Sequence, residues 1–435
     1  MTSKEFDIVI FGATSFVGKI LCHYLVNEYT EPNLTWAMAA RSETKLKELK
    51  ESLGENASAI PLIIADSSDE QALISMCEKT ELVISTVGPY ALYGELLVKT
   101  CCQLGTDYCD LTGEPQWIRR MISRYEDDAK RSGARIVNCC GFDSIPSDLG
   151  VKFLQGHAQQ HFGSYCNQVK LRVKVLKGGA SGGTIASGLN LYKEASADPA
   201  IRKEMRDPYS LCPTEQAFTA RQHNVSVEFD EDYDSWAGPF IMASINTRVV
   251  LRTNALLHGH YAENFKYDEA MLTSSGKKGE KAAKKLSSGT KASMFMMAFA
   301  PMRWLVTRFF LPSPGEGPTP EQQLKGCYDL RLLGTTLQGE RIRVKVTGDR
   351  DPGYGSTAKM LAQAGISLRR DVDEGEVGGG FWTPATVFND KLITRLVDYA
   401  GMSFEVESIS QAAPAVEEMT TDADAVDGPA PTAQN

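Results

Sequence analysis

Asp7-Ile-Val-Ile-Phe-Gly-Ala-Thr-Ser-Phe-Val-Gly18, followed by Lys19-Ile-Leu-Cys-His-Tyr-Leu-Val26, is the stretch from which the rest of the chain can be read. The apolar run Ile8 to Phe11 has the length of a buried parallel strand, and the periodic apolar positions from Phe16 to Val26 predict the helix behind it. Between them lies a tight turn bounded by Gly12 and Gly18. Such a turn leaves backbone N–H groups unpaired at a helix N-terminus, where the positive end of the helix dipole favours an anion such as a pyrophosphate. Gly12 lets the chain turn sharply, and Gly18 lets helix and strand approach closely. Where the tightest dinucleotide fingerprints carry a middle glycine, this chain has Ala13, Thr14 and Ser15, whose hydroxyls could themselves bond a phosphate. The expected phosphate contacts are therefore Gly12, Ala13, Thr14, Ser15, Phe16 and Val17.

Two glycines alone are a weak signal, and the pattern of the next 120 or so residues gives it weight. Leu34 to Arg41 predicts a second strand, Pro61 to Asp66 a third and Leu82 to Val87 a fourth. Asp107 to Thr112 and Ala134 to Cys140 predict a fifth and a sixth, with helical patterns between. Six strand-then-helix units in the first 150 residues specify a doubly wound parallel sheet with helices on both faces, because each crossover must be right-handed and return to the same sheet. Ligands of such sheets lie outside the carboxyl ends of the strands. The end of the second strand carries Arg41 and Ser42 where an acidic residue would accept hydrogen bonds from the ribose of NAD. An arginine there pairs with a 2′-phosphate and calls for NADP(H); the bland alternative is that Arg41 only starts a solvated loop. Asp66 falls where a polar residue contacts adenine, and Thr86, Val87, Gly88 and Tyr90 fall over the crevice. Further polar groups collect in the later strand-end loops. Asp143 is open between orienting a substrate or relaying a proton and a structural role, whereas Ser144 or Ser147 beside Pro146 could cap the following helix, with Ser147 the preferred cap.

The bulk properties, 42% hydrophobic and 23% charged residues, are those of an ordinary soluble protein. The chain has 435 residues, long enough for two or three domains. A net charge of −9 argues against a general nucleic-acid binder, which needs a basic surface. Ten cysteines without metal-like spacing read as reduced, mostly buried thiols of a cytoplasmic protein, so no metal site and no secretory leader are expected.

From Asn167 the pattern changes. Val169 to Val175 alternates strictly, which marks a half-exposed strand, and similar alternation at 224–229, 240–251, 330–333 and 341–347 predicts a second, mixed or antiparallel sheet. Lys277, Lys278, Lys281, Lys284, Lys285 and Lys291 precede a Met/Phe/Trp-rich run at 294–311. Pro301, Arg303 and Arg308 interrupt that run, which makes it a poor membrane span. Three readings stay open for it: an interfacial helix at the inner face of the plasma membrane, the lining of an acyl pocket, or a core helix behind a solvated lysine loop. Tyr354 and Lys359, after a glycine-rich turn at 351–357, invite comparison with a tyrosine–lysine acid pair. Beyond about residue 408 the composition is that of a disordered tail.

Taken together, the segments GATSFVG (12–18), AARS (39–42), STVGPYALYG (85–94), YCDLTGE (108–114), GFDSIPSDLG (141–150), GGTIASGLN (182–190), DPGYGSTAKM (351–360) and GGGFWTPA (378–385) resemble the saccharopine dehydrogenase-like oxidoreductases, and within them the bacterial trans-acting enoyl reductases. The resemblance implies an NADP-binding Rossmann-type domain and reduction of enoyl bonds in lipid- or polyketide-derived, carrier-bound or small-molecule substrates. It brings no assigned catalytic residue with it. Tyr90, Tyr354 and Lys359 are the candidates for acid or oxyanion donor. Saccharopine-type imine reduction, or a non-catalytic nicotinamide sensor at a lipid surface, are the alternatives. The expected organisation is an NADP domain at 1–150, an α+β substrate domain at 151–350 with the basic-apolar insertion 277–311, a helical segment at 351–407 packing back on both, and the tail. A homodimer and a peripheral membrane contact are the remaining partner expectations.

Overall fold

The computed structural model describes residues 4–179, 182–216, 218–298 and 317–411. Seven strands form a first sheet: β1 (Phe6–Phe11), β2 (Trp36–Ala40), β3 (Leu62–Ile64), β4 (Thr80–Ser85), β5 (Asp107–Asp110), β6 (Arg135–Val137) and, from far along the chain, β13 (Gly380–Trp382). Their spatial order is β13-β6-β5-β4-β1-β2-β3, with every neighbouring pair parallel. The order reverses between β1 and β4, which creates the crevice of a dinucleotide fold. Successive residues of these strands face opposite layers. Ile8, Ile10, Leu82 and Ile84 pack on one side, while Val9, Phe11 and Val83 pack on the other. Each of those side chains is fully or almost fully buried, which stabilises the fold by roughly 1.5–3 kcal/mol per residue. Burial on both faces is why these strands are continuous apolar runs.

The second sheet comprises β7 (Gln168–Lys177), β8 (Glu228–Asp230), β9 (Ser235–Pro239), β10 (Lys266–Leu272), β11 (Cys327–Thr335), β12 (Arg341–Gly348) and β14 (Met402–Ser410), in the order β14-β12-β11-β7-β10-β9-β8. It is mixed: β7 and β10 run parallel, and the other pairs are antiparallel. In β12, Ile342, Val344 and Val346 are fully buried and alternate with outward-facing polar residues, as expected for a one-sided sheet. The helix Ile145–Phe162 joins the two sheets. It leaves the end of β6 and lies on the second sheet, where a Cβ on Gly150 would stand 3.3 Å from Leu332 and Val346. A single apolar cluster consequently runs from Ile8 and Leu82 through Leu149 to Leu171, Leu332 and Val344.

Several expectations need correction. The stretch 240–251 is not a strand but the start of the helix Ala243–Leu256, buried along most of its length from Ile245 to Ala255. A helix buried all round lacks a polar stripe, so over a short window it mimics a strand. Strand β8 covers only Glu228–Asp230 of the expected 224–229 region. Ser147 does not cap its helix: the helix begins at Ile145, Ser144 occupies the cap position, and the Ser147 hydroxyl bonds Glu269 and Tyr267. The C-terminal segment is not helical throughout, since it supplies β13 to one sheet and β14 to the other. β14 runs to Ser410, and the expected tail from 412 onward lies outside the described residues, as does 299–311 of the apolar run. No helix among the described residues is long and apolar enough to cross a membrane.

Candidate functional site

At the end of β1 the chain turns through Gly12, whose φ is +87°. A Cβ there would stand 2.6 Å from Val87 Cγ2 and 2.8 Å from Thr86 Oγ1, and a Cβ on Gly18 would overlap the Gly12 carbonyl. Both glycines are therefore required by close approach. The position that usually carries the middle glycine holds Ser15, which caps the helix Phe16–Asn27: its Oγ accepts from the Gly18 amide at 2.9 Å and lies 2.9 Å from Thr86 Oγ1. The Thr86 hydroxyl also lies 2.9 Å from the Gly12 carbonyl, so it ties the end of β4 to the turn. Among the described residues, the amides of Thr14, Phe16 and Val17 have no protein acceptor. Three unpaired N–H groups at the positive end of a helix, in a turn with no room for side chains, fit a phosphate oxygen.

Beside the turn, Arg41 stands exposed at the end of β2. It lies near enough to Asp66 to help hold that carboxyl below its ordinary range, although the main cause is the Ser68 hydroxyl. Asp66 accepts from the Ser68 amide at 2.9 Å and from its hydroxyl at 2.6 Å, which shapes the loop after β3. Ser42 caps the helix Glu43–Ser52 by accepting from the Lys45 amide. Next to Asp66 an open groove of about 460 Å³ is lined by Ser67, Ser68, Leu92, Tyr93, Leu96 and Lys99. Leu92 and Tyr93, which are 57% and 47% exposed, give this groove an apolar side beside Glu95 and Lys99.

The three candidate acids have different surroundings. Tyr90 is buried; its hydroxyl donates to the Ser85 carbonyl at 2.9 Å, its ring lies 5.3 Å from that of Trp117, and burial pushes its pKa far up. Tyr354 is buried with its ring edge-on to Phe16 at 5.1 Å, beside the phosphate turn. Lys359 is held 2.7 Å from Glu28 and lies over the Tyr24 ring, near the far end of the helix Phe16–Asn27. A helix of this length spans about 18 Å, and the two residues contact opposite parts of it.

The strand-end carboxylates form a denser constellation, spanning the two sheets. Asp110, fully buried, accepts from Tyr108 Oη, Asn138 Nδ2 and the amides of Thr112 and Cys139, at 2.8–3.2 Å; burial still pushes its pKa up to about 7. Glu114 accepts from the amides of Tyr90 and Ala91 and fixes the loop over the crevice. Asp148 accepts from Thr253 Oγ1 at 2.6 Å and the Ala385 amide at 2.8 Å. Asp143 faces the loop after β5, with Oδ2 3.2 Å from where a Gly113 Cβ would be, and Glu269 of β10 faces it from the other sheet. The sequence leaves the role of Asp143 open and does not point to Glu269 or Asn246 at all. The available signal for Glu269 is the Asp268-Glu269 pair inside an otherwise strand-like run.

Residues 8–137 match the family described as "Saccharopine dehydrogenase NADP binding domain". The N-terminal sheet is thus an NADP(H)-binding domain. A protein of Mycobacterium tuberculosis named provisionally as a trans-acting enoyl reductase is 37% identical over 422 residues, covering 94% of this chain and 99% of the relative. The trans-acting enoyl reductases of Mycobacterium bovis and Mycobacterium leprae are 35% and 34% identical, covering 90% of this chain and 96% of each relative. Among solved structures, a saccharopine dehydrogenase (L-Glu forming) of Saccharomyces cerevisiae aligns over 93% of this chain and 100% of that one, with 13% identity and a TM-score of 0.49.

Proposed function

The chain belongs to the saccharopine dehydrogenase-like family, alongside the mycobacterial trans-acting enoyl reductases, and from that premise we propose that it reduces the conjugated C=C bond of a lipid- or polyketide-derived thioester with NADPH. One observation carries this reading: the likeness to proteins named enoyl reductases extends over nine-tenths of both chains, through the second sheet as well as the nucleotide domain.

When bound, NADPH supplies the hydride. The protein's share is to hold, orient and protonate. In this reading the amides of Thr14, Phe16 and Val17 take the pyrophosphate, with Gly12 and Ala13 at the turn and Ser15 and Thr86 holding its shape. Arg41 takes the 2′-phosphate, with Ser42 and Asp66 setting the loops around it. The groove of Leu92, Tyr93 and Leu96 takes the adenine. Val87 and Gly88 form the crevice wall against which the nicotinamide rests, and Glu114 fixes that wall through the amides of Tyr90 and Ala91. Lys359, paired with Glu28, serves packing, as does the Tyr90 ring on Trp117.

The test is NADPH oxidation by the purified protein with enoyl thioesters of increasing chain length, with imine and carbonyl substrates alongside. Turnover confined to enoyl thioesters is expected. Turnover of an imine or carbonyl compound alone would sink the enoyl assignment, and binding of NADPH without any turnover would point to a sensor.

A further inference from the structure

Five carboxylates stand at the junction of the two sheets, and four of them are held by donors: Asp110, Glu114, Asp148 and Glu269. The Glu269 carboxylate accepts from Tyr267 Oη at 2.6 Å, Asn246 Nδ2 at 2.9 Å and the Ser147 hydroxyl. Asp143 is the exception. Among the described residues its carboxylate receives no hydrogen bond, and it is half-buried, so one side reaches open space.

Its backbone is nevertheless fixed. The Cys139 amide is bonded to Asp110, the Phe142 amide donates to Thr357 Oγ1 at 3.0 Å, and the Ser144 hydroxyl lies 3.0 Å from Asn246 Oδ1. Cys139 and Ser144 both have positive φ, +63° and +152°. Non-glycine residues in such conformations are strained and persist where the surroundings impose them, often at functional sites. An anchored loop thus presents one unsatisfied carboxyl to the end of the crevice, beside a like charge. Donors on a carboxylate favour its ionised form, and a neighbouring negative charge disfavours a second ionisation. Between Asp143 and Glu269, the negative charge belongs on Glu269 and the proton on Asp143.

We propose that Asp143 is the proton donor of the crevice, with Glu269 as the positioning residue that keeps it protonated. The inference rests on the reductive reading above. With hydride supplied by bound NADPH, which would leave as NADP⁺, a new C–H bond would form at the β-carbon and the C=C electron pair would be left as an enolate in need of a proton at the α-carbon. The Asp143 O–H bond then breaks, its proton forms the new C–H bond at the α-carbon, and the O–H electrons remain on the carboxylate. Water at the open side of Asp143 returns the proton. The electrostatics agree: burial first, and then Glu269, push the Asp143 carboxyl up to about 7. Glu269 faces it from β10. On the same loop, burial first and then Asp110, Asp143 and Asp148 push the Cys139 thiol far up, so Cys139 stays neutral beside Asp143.

The test uses full-length protein carrying Asp143→Asn, Asp143→Glu or Glu269→Gln, with three readouts. These are the carboxylic-acid band in an infrared pH titration without nucleotide, NADPH binding by fluorescence, and turnover of crotonyl-CoA and longer enoyl-CoA homologues. The parent should show, in its difference spectrum against Asp143→Asn, a protonated-carboxyl band at neutral pH over and above those of Asp110 and Asp148. In Glu269→Gln that band should titrate away at lower pH, because the like charge is gone, and the alkaline limb of the rate profile should move the same way. Asp143→Asn should bind NADPH normally but lose about 10²–10⁴-fold in kcat, and Asp143→Glu should recover part. An Asp143→Asn variant that is folded, binds NADPH and keeps kcat within about threefold overturns the proposal, as does the absence of the band in the parent protein. If the parent turns over no enoyl thioester, the substrate reading fails, while the infrared titration still decides whether Asp143 carries the proton.

Discussion

Replacing Gly12 by alanine isolates the turn on which nucleotide binding depends. The residue has a φ of +87°, which costs an L-residue with a Cβ about 1–2 kcal/mol. The new methyl would also stand 2.6 Å from Val87 Cγ2 and 2.8 Å from Thr86 Oγ1, inside contact distance of two atoms at the end of β4. Overpacking of this kind adds about 1–3 kcal/mol. The sum, about 2–5 kcal/mol, has two routes of relief. Global relief lowers stability by that amount, and a domain of 150–250 residues loses about 2–4 °C of Tm per kcal/mol. Local relief swings the Gly12 to Ser15 turn away from Thr86, breaks the 2.9 Å contact with Ser15 and displaces the amides of Thr14, Phe16 and Val17. Loss of those phosphate bonds should weaken NADPH at least tenfold, since each charge-assisted bond contributes about 1.5–3 kcal/mol. Calorimetric titration with NADPH, paired with thermal unfolding, measures both. Unchanged Kd and unchanged Tm together would refute the claim that the turn is tight and that its amides meet the ligand.

The same geometry makes four further predictions. Arg41→Asp should weaken NADPH by about 10–100-fold, the value of one charge-assisted phosphate contact, while NADH binding holds or improves; an unchanged preference between the two removes Arg41 from the 2′-phosphate. Lys359→Ala breaks a pair whose glutamate is 42% exposed, so it should cost under about 1 kcal/mol in unfolding experiments and leave kcat nearly unchanged; a kcat loss of a hundredfold would return Lys359 to the chemistry. For pH, Asp110 and Asp148 both have folded-state pKa values raised to about 7, above the ordinary aspartate value. Their contribution to stability is fully present below the unfolded pKa and is lost as pH rises through about 7, so Tm should decline from pH 5 to pH 8, and a Tm that climbs over that interval contradicts the assignment. The helix Gly276–Ala298 carries six lysines on its exposed side and ends in exposed Met294 and Phe295. Flotation with anionic liposomes in low salt should carry the protein upward and release it at high salt; protein that stays at the bottom rejects a membrane contact.

The nucleotide half was legible because local and global requirements coincide there. A strand buried on both faces must be apolar throughout, and the turn after it must have glycine where a Cβ would strike a neighbour, so Ile8 to Gly18 carries its own instructions. The one apparent defect, Ser15, proved to be the helix cap. The second half was harder because its signals depend on partners distant in sequence. The helix Ala243–Leu256 is enclosed by other elements, so it shows no polar face to set its period. β13 is three residues long and joins the first sheet only by pairing with β6, more than 240 positions earlier. The candidate site suffered most. Tyrosine and lysine were singled out by chemical type, yet Lys359 is bound to Glu28 and the Tyr90 hydroxyl to a strand carbonyl. Asp143 stands out only when the donors around its four neighbours are known.

The way the halves are joined explains why the chemistry should sit at this junction. After β6 the chain crosses to the second sheet along the helix Ile145–Phe162, and it returns at β13 before ending in β14, so each sheet is completed by residues that also anchor the other. Asp148 reinforces the joint by bonding Thr253 and the Ala385 amide, groups from two further segments. A shared apolar cluster and a buried polar clasp leave little freedom for one sheet to hinge on the other. An acid on the β6 loop therefore keeps a set position against a carboxylate on β10, and proton transfer depends on such placement to within fractions of an ångström. Substrate choice needs a surface that can vary instead, and the edge of the second sheet offers one, where β8, β9 and the lysine-rich helix pack on one another. On the proposed reading the division is chemical: holding NADPH and delivering a proton would fall to the doubly buried strands and their loops, and recognition of the substrate to a one-sided sheet that can change its outer surface without disturbing either.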